Sequence, residues 1–385
     1  MMTTTRTSES TPLATTPSQL LLAFELGDRT WKLGFTAGLG SRPRLRQVPA
    51  GAVDQVREEI ARMKRRLKLP PETPVVSCYE AGREAFSLHR YLVAHDVTNH
   101  VVDSSSIEVK RRARRAKTDR LDLAALLTLL ARYLAGDRRA WQVVRVPSAA
   151  EEDARQLHRT WHTLQNDRTR LIARLQGLLL TQGLRLGITE TFLPQLEAAR
   201  LWDGTPVPAG LKARLTRVWA QLVLVNAQSK EVERVRAALS ADESTATGRY
   251  AVRLPTLRGI GPVGAWVLAT EIFGWREIRN ARQLGGLVGL APAPYQSGET
   301  AHDQGISRTG NKHVRHLMVQ LAWTWLQYQP TSALSQWYHR QFGRGSRRVR
   351  RIGIVALARK LLIALWRYVE HGVIPDGAVL KMEGA

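Results

Sequence analysis

Two long segments with heptad spacing constrain the fold of this chain more than any other feature of its sequence. Apolar residues recur at alternating steps of four and three through residues 157–178 and again through residues 211–232. The positions are Leu157, Trp161, Leu164, Leu171, Leu175 and Leu178, then Leu211, Leu215, Val218, Leu222, Val225 and Val232. Arg168 and Ser229 fill the one polar position in each series. The pattern predicts two long helices that form a coiled-coil hairpin or a dimerising stalk, with two amphipathic helices packed on a common core as the alternative.

These paired helices divide the 385 residues into five predicted regions. Residues 1–19 are rich in Ser and Thr and are predicted to form a disordered tail. Residues 20–148 are predicted to form an α/β domain, residues 149–248 a helical linker and residues 249–372 a C-terminal domain, followed by a tail at 373–385. The predicted fold class is α/β plus all-α, with a mainly helical C-terminal domain.

The first domain alternates short apolar runs with amphipathic stretches. Residues 20–36 predict a strand hairpin with its turn at 27–29, and residues 74–80 and 98–102 predict two further strands. Helices are predicted near residues 54–67, 83–95 and 121–134. This alternation is typical of a domain with a central sheet, in which functional residues gather at strand ends and helix starts.

Two aspartates stand inside the most basic part of the chain. Seven of the eleven residues at 110–120 are basic, namely Lys110, Arg111, Arg112, Arg114, Arg115, Lys117 and Arg120. Asp119 and Asp122 are three residues apart, so on a helix both project from one face. Carboxylates inside a surface that attracts phosphate indicate a bound divalent metal and the cleavage of nucleic acid. An exposed helix start, where Asp is favoured in the first turn, is the alternative.

The overall charge also favours a polyanionic partner. The 57 Lys and Arg residues outnumber the 33 Asp and Glu residues, which leaves a formal net charge of +24, and neutralised phosphates dominate the affinity of proteins for nucleic acid. No apolar run is long enough to span a membrane, and residues 20–24 are too short for a signal-peptide core. The single cysteine, Cys78, excludes an intramolecular disulfide and a cysteine-cluster zinc site. We therefore expect a cytoplasmic protein that binds nucleic acid.

Two features of the C-terminal region extend this expectation. Gly259 and Gly261 precede an apolar stretch at 265–273 and resemble a helix-hairpin-helix DNA-binding element, in which backbone N–H groups contact phosphate. A tight helix-helix turn without a ligand uses the same glycines. A basic cluster before the amphipathic stretch at 352–369 is predicted to contact backbone phosphate; it comprises Arg340, Arg344, Arg347, Arg348, Arg350 and Arg351.

A series of short motifs, taken in the order in which they occur along the chain, resembles the motifs of the IS110/IS1111 family of insertion-sequence transposases. In the first domain they are AFELG at 23–27, CYEAG at 78–82 and KTDRLD at 117–122. In the C-terminal domain they are LGGLVGLAP at 284–292, YQSGE at 295–299 and GISRTGNK at 305–312. Each motif is short, but the ordered set covers about residues 20–370 and is specific.

The resemblance implies a RuvC-like, ribonuclease-H-like domain whose acids are Glu25, Glu80, Asp119 and Asp122. Four such carboxylates would hold Mg²⁺ or Mn²⁺. It also implies that Ser297 attacks a DNA phosphodiester and holds the strand covalently. Ser307 is the reserve candidate, although the role that we expect of it is a helix cap. Arg308, Lys312 and Arg315 would clamp the phosphate. His302 and His313 lie near the serine motif as possible bases.

The first acid departs from the family pattern, which has Asp where this chain has Glu25. Because Glu is longer by one methylene, the metal would sit deeper or the strand would be set back. Asp28, three residues later on the predicted turn, is the alternative ligand.

The resemblance implies a DNA recombinase that mobilises its own insertion sequence, which is the first of three hypotheses for the function, and it also implies partners. Double-stranded donor and target DNA, a structured guide RNA and a homodimer or homotetramer are expected, and a membrane is not. A RuvC-like nuclease or junction resolvase that works without a covalent serine intermediate is the second hypothesis. A non-catalytic architectural protein that binds nucleic acid is the third.

Overall fold

The computed structural model describes residues 19–38, 42–82, 85–107, 119–297, 300–308 and 310–381. Residues 1–18 of the predicted tail and most of the basic run, from Lys110 to Lys117, lie outside these residues. The chain divides into two compact units, Met1–Val146 and Pro147–Ala385. Each unit is built around its own buried core, so each is described by itself.

The first unit contains a five-stranded mixed sheet. Its strands are β1 (Leu20–Leu26), β2 (Thr30–Thr36), β3 (Arg44–Pro49), β4 (Val75–Glu80) and β5 (Val97–Val102), and its helices are α1 (Val53–Arg66), α2 (Ala85–Ala94) and α3 (Asp119–Leu134). The spatial order is β3-β2-β1-β4-β5. Strands β1, β2 and β3 pair antiparallel, whereas β1, β4 and β5 pair parallel. The predicted hairpin, the two later strands and the three helices are confirmed, and β3 is an additional edge strand.

Strand β1 is buried on both faces because a helix covers each side of the sheet. Leu20, Leu22 and Phe24 pack on the face covered by α1, whose buried residues Val56, Ile60 and Met63 follow helical spacing. Leu21 and Ala23 pack on the opposite face against the leucines of α3. A continuous apolar run such as residues 20–24 is what a central strand with two covered faces requires.

Two long antiparallel helices open the second unit. Helix α4 (Ala149–Leu180) begins with a capping box between Ser148 and Glu151, and α6 (Ala209–Ala241) packs along it after the short helix α5 (Phe192–Ala198). The Trp161 Nε1 donates to Glu233 Oε1 at 2.9 Å. Arg168, the polar position of the first heptad series, donates to Asn226 at 3.2 Å. The predicted helical hairpin is therefore present, and a dimerising role stays a prediction.

A helical module follows the hairpin. It contains α7 (Ala246–Arg253), α8 (Pro262–Leu268) continuing as a π-helical turn (Ala269–Phe273), α9 (Ala281–Val288), α10 (Lys312–Tyr328), α11 (Ala333–Phe342) and α12 (Arg347–His371). Between α9 and α10 lies an antiparallel hairpin, β6 (Pro292–Ser297) and β7 (Thr300–Ile306). Residues 373–381 return to this module, where the Arg258 amide donates to Val379 O and the Lys381 amide to Thr256 O. Within the described ranges, no helix combines the length and apolarity needed to cross a bilayer.

Candidate functional site

Glu25 and Glu80 lie side by side at the carboxyl ends of two neighbouring parallel strands. Phe24 of β1 is in register with Tyr79 of β4, so each glutamate occupies the next position along its strand. Because side chains alternate along a strand, both project on the face that carries Ala23 and Cys78. They line one cleft of about 410 Å³ together with Asp28 of the β1–β2 turn. The structure therefore brings two of the predicted acids together.

The chemistry of this cleft fits a hard divalent cation. Its donors are carboxylate oxygens, and Mg²⁺ is usually held by one or two carboxylates while it keeps several waters and substrate phosphates. Glu25 is half-buried, whereas Glu80 and Asp28 are exposed, so a phosphate from solvent can reach the cleft. Within the described part of the chain, no group of three or more His, Cys, Asp or Glu residues has the arrangement of a metal site. The fit thus rests on the pair Glu25 and Glu80, with Asp28 beside them.

Asp119 and Asp122 open α3, the helix that covers the same face of the sheet. Leu123 anchors this end of α3, because it packs so closely on Gly34 of β2 that a Cβ there would lie 3.3 Å from Leu123 Cβ. Asp122 is half-buried and is not among the residues that line the cleft. The side chain of Asp119 lies outside the described atoms. The structure places the pair on the expected helix start, and Asp122 does not join the two glutamates in the cleft.

Ser297 is the last residue of β6, where it pairs with Thr300 across the tip of the β6–β7 hairpin. Its side chain, the His302 side chain and the two residues at the tip lie outside the described atoms. The base of the hairpin is fixed to the end of α9, since the Ser307 amide donates to Ala291 O at 2.9 Å and the Arg308 amide donates to Gly289 O at 3.3 Å. The serine is thus carried on a hairpin held at its base.

The three predicted phosphate-clamping residues follow this hairpin. Arg308 is exposed and has a positive φ of 56°, a conformation that non-glycine residues seldom adopt. Lys312 is exposed at the first turn of α10. Arg315 donates from Nη1 to Val288 O at 3.0 Å, which ties α10 to the end of α9. Arg308 and Lys312 are therefore open to a ligand, while Arg315 also contributes to packing.

Gly259 and Gly261 form the turn between α7 and α8. Gly259 has a φ of +85°, and a Cβ there would lie 3.3 Å from Tyr328 Cβ. The Thr324 hydroxyl also donates to Gly259 O at 3.2 Å. Gly261 caps α8, and nothing lies within 4 Å of a Cβ added there. Close packing on α10 accounts for Gly259, and phosphate contact at either glycine stays a prediction.

The basic cluster lies on the last turn of α11, the connection that follows and the first turns of α12. Its exposed members are Arg340, Arg344, Arg347, Arg348, Arg350 and Arg351. Ser346 caps α12 by accepting from the Val349 amide at 3.4 Å, so the helix extends five residues further towards its N-terminus than residues 352–369 predicted. The exposed positions are suited to phosphate contact.

A buried ionic network that the sequence did not reveal supports the start of α10. The Glu271 carboxylate, only 1% exposed, accepts from Arg159 Nε at 3.0 Å, Arg159 Nη2 at 3.2 Å and Asn311 Nδ2 at 2.8 Å. Asn311 also caps α10 by accepting from the His313 and Val314 amides, the role expected of Ser307. In the sequence, this network is indicated by a single acidic residue, Glu271, inside the apolar stretch 265–273.

Two histidines border this network. Burial, opposed by the nearby Glu271 carboxylate, lowers the pKa of His158 to about 4. Burial and the Arg159 charge lower the pKa of His313, and the His162 and His313 rings lie 6.1 Å apart. A lowered pKa keeps His313 neutral near pH 7, the form in which an imidazole can accept a proton.

Comparisons with known proteins agree with one another. Residues 251–338 match the family described as Transposase IS116/IS110/IS902. The chain is 37% identical over 375 residues to y4rJ of Sinorhizobium fredii, a protein named as a transposase, with 94% of each chain covered. It is 29% identical to the IS1328 transposase of Yersinia enterocolitica, over 57% of this chain and 63% of the relative. It is 25% identical to the IS1111A transposase of Coxiella burnetii, over 67% and 68%. The chain belongs to the IS110 family of transposases.

Proposed function

We propose that this transposase mobilises its own insertion sequence by phosphoryl transfer on DNA, using metal-binding acids and Ser297 in one composite site. The observation that carries the proposal is the placement of Glu25 and Glu80 at the ends of adjacent parallel strands, lining one cleft. Asp119 and Asp122, on the helix over the same face, complete the proposed RuvC-like acid set. The five-stranded mixed sheet is compatible with that fold.

The residues divide the chemistry between them. In the first step the Ser297 Oγ–P bond forms and the bond from phosphorus to the departing strand's oxygen breaks, while the serine proton passes to a base and the departing oxygen gains one. In the second step a hydroxyl of the new strand attacks the phosphoserine and releases Ser297. Since one ester replaces another, bond energy is conserved for rejoining. Arg308 and Lys312, both exposed beside the hairpin, orient the phosphate.

The acids would act by holding a divalent cation close to the reacting phosphate. Mg²⁺ or Mn²⁺ bound there would supply electrostatic stabilisation of the phosphate oxygens. Glu25, Glu80, Asp119 and Asp122 would hold it, with Asp28 as the alternative to Glu25. A structured guide RNA and assembly into a dimer or tetramer, with the α4–α6 hairpin as the contact, complete the proposal.

The test measures excision and circularisation of the insertion sequence in cells by PCR across the new junction. Ser297→Ala, Glu80→Gln and Asp122→Asn are each expected to abolish the junction, and Glu190→Gln, an exposed acid elsewhere, is the matched control. DNA cleavage that survives Ser297→Ala but not Glu80→Gln would indicate a RuvC-like nuclease. Recombination at the normal rate in all the acid variants would show that the acids take no part in the reaction and would overturn the proposal.

A further inference from the structure

The three C-terminal helices lie almost entirely within the longest stretch of the sequence that contains no acidic residue. Sixty-six consecutive residues, 304–369, contain no Asp or Glu, and twelve of them are Lys or Arg. These residues include all of α10 and α11 and most of α12. No acid of this stretch neutralises the basic cluster, so its field attracts polyanions.

A groove of about 800 Å³ lies between these helices. One wall carries Trp323 and Gln327 of α10, and the other carries His339 of α11 with Arg347, Arg350 and Arg351 of α12. We call this the tryptophan–arginine groove. It combines an aromatic surface, an amide and three guanidinium groups within one concave site.

The groove has a fixed shape, because α10, α11 and α12 contribute buried residues to one core and because α11 and α12 pack closely. The Tyr338 hydroxyl, at the end of a ring only 3% exposed, donates to Arg350 O at 3.3 Å. A Cβ on Gly353 would overlap the Phe342 ring, so α11 and α12 approach as closely as the glycine permits. The shape of the groove is therefore determined by the packing of the core beneath it, and not by mobile surface side chains alone.

Trp323 is the distinctive element of the groove. Its side chain is 50% exposed, although a tryptophan on a helix that contributes to a core normally buries its ring. An exposed indole beside arginines suits a nucleic acid whose bases are unstacked, because aromatic rings stack on the faces of unpaired bases while cations track the backbone. Duplex DNA hides those faces.

We propose that the tryptophan–arginine groove binds single-stranded DNA, with one unpaired base stacked on Trp323 and adjacent phosphates paired with Arg347, Arg350 and Arg351. Charge complementarity with the acid-free helices selects a polyanion, and the exposed indole of Trp323 selects one whose bases are unpaired. The inference rests on the proposed function, because strand exchange is what exposes unpaired DNA near this unit. It adds a site for the displaced strand that is separate from the reacting phosphate.

The experiment measures equilibrium binding by fluorescence anisotropy, using a labelled strand of about 12 thymidines and a duplex of the same length. All proteins carry Ser297→Ala, so that covalent attachment does not contribute. Trp323→Ala is expected to weaken single-strand binding about tenfold and to leave duplex binding unchanged. Trp323→Phe retains a ring and should keep most of the affinity. Trp202→Ala is the matched control, because Trp202 is 94% exposed elsewhere in the unit.

A second measurement tests the arginines. Changing Arg350 and Arg351 together to Ala should reduce the magnitude of the slope of log binding constant against log salt concentration, measured for the single strand, by about 0.7 per lost phosphate contact. Equal effects of Trp323→Ala and Trp202→Ala would overturn the proposal, as would equal losses for duplex and single strand. Strong preference for single-stranded RNA of the matching sequence would assign the groove to RNA and overturn it as well. Because these assays measure binding alone, failure of the serine chemistry leaves their outcome unaffected.

Discussion

Removing the charge of Glu271 is expected to destabilise the second unit strongly. The carboxylate is 1% exposed and accepts two hydrogen bonds from Arg159 and one from Asn311. Glu271→Gln keeps the shape of the side chain and replaces one carboxylate oxygen with an NH₂ group that cannot accept from Arg159. The variant therefore leaves a guanidinium facing a neutral amide.

The size of the effect follows from burial. Breaking a buried ion pair by changing one partner costs about 3–5 kcal/mol, and each hydrogen bond to a charged group contributes about 1.5–3 kcal/mol. The Arg159 side chain is 37% exposed, so water replaces part of its lost partner. The Asn311 amide can still donate to the remaining carbonyl oxygen of Gln. We therefore expect a loss near the lower limit, about 3 kcal/mol.

Thermal unfolding followed by circular dichroism measures this loss. For a unit of this size, about 3 kcal/mol corresponds to a decrease in Tm of about 6–12 °C. Glu231→Gln is the matched control, because Glu231 forms the same two-bond pair with Arg234 on an exposed face, and exposed pairs contribute little. Arg159→Met and the double variant complete a cycle that isolates the coupling. Equal Tm values for Glu271→Gln and Glu231→Gln would refute the reasoning.

Three further predictions concern stability. The pKa of His158 falls to about 4 in the fold, so the stability that its neutral side chain contributes is fully present above about pH 6.5 and is lost as the pH falls towards 4, at about 1.4 kcal/mol per pH unit. Urea unfolding from pH 7 to 4 should therefore show a shallower decline in the free energy of unfolding for His158→Gln than for the unmodified protein, and parallel curves would contradict this. Gly259→Ala should lower the free energy of unfolding by about 1–2 kcal/mol or more, because Gly259 has a positive φ and lies against α10. Gly183→Ala should lower it by less in the same urea titration, because Gly183 has a positive φ but nothing lies within 4 Å of an added Cβ. Ser229→Ala should stabilise by about 1 kcal/mol, because its buried Oγ has no hydrogen-bond partner within the described residues; a lower unfolding midpoint would count against this.

The fold was predictable where apolar spacing was strong. The run at residues 20–24, the helix faces of α1 and α3 and most positions of the second heptad series bury the residues that their periodicity indicates. Of the first heptad series, only Leu164 and Leu175 are buried. Strand β3 was missed because it is an edge strand in which only Val48 is buried. The β6–β7 hairpin was missed because prolines and polar residues replace the usual alternation.

The candidate site was predictable only in part. Glu25 and Glu80 could be placed at strand ends from the runs that precede them, and parallel pairing then explains why they meet. The Glu271 network could not be predicted, since Arg159 lies 112 residues away in sequence and pairing over that distance leaves no local pattern. The acid-free stretch at 304–369 was visible in the sequence, but the groove needed the packing of three helices.

The most direct test of the central claim is the detection of a covalent link between Ser297 and DNA. The protein, purified with any RNA it retains, is incubated with Mg²⁺ and element-end DNA that carries a bridging phosphorothiolate at the cleavage position, so that the departing thiol cannot reverse the attack. Denaturing electrophoresis and peptide mapping then locate the attached strand. We expect an adduct on Ser297 and none with Ser297→Ala. Cleaved DNA that is attached to no residue, or an adduct that persists in Ser297→Ala, would contradict it.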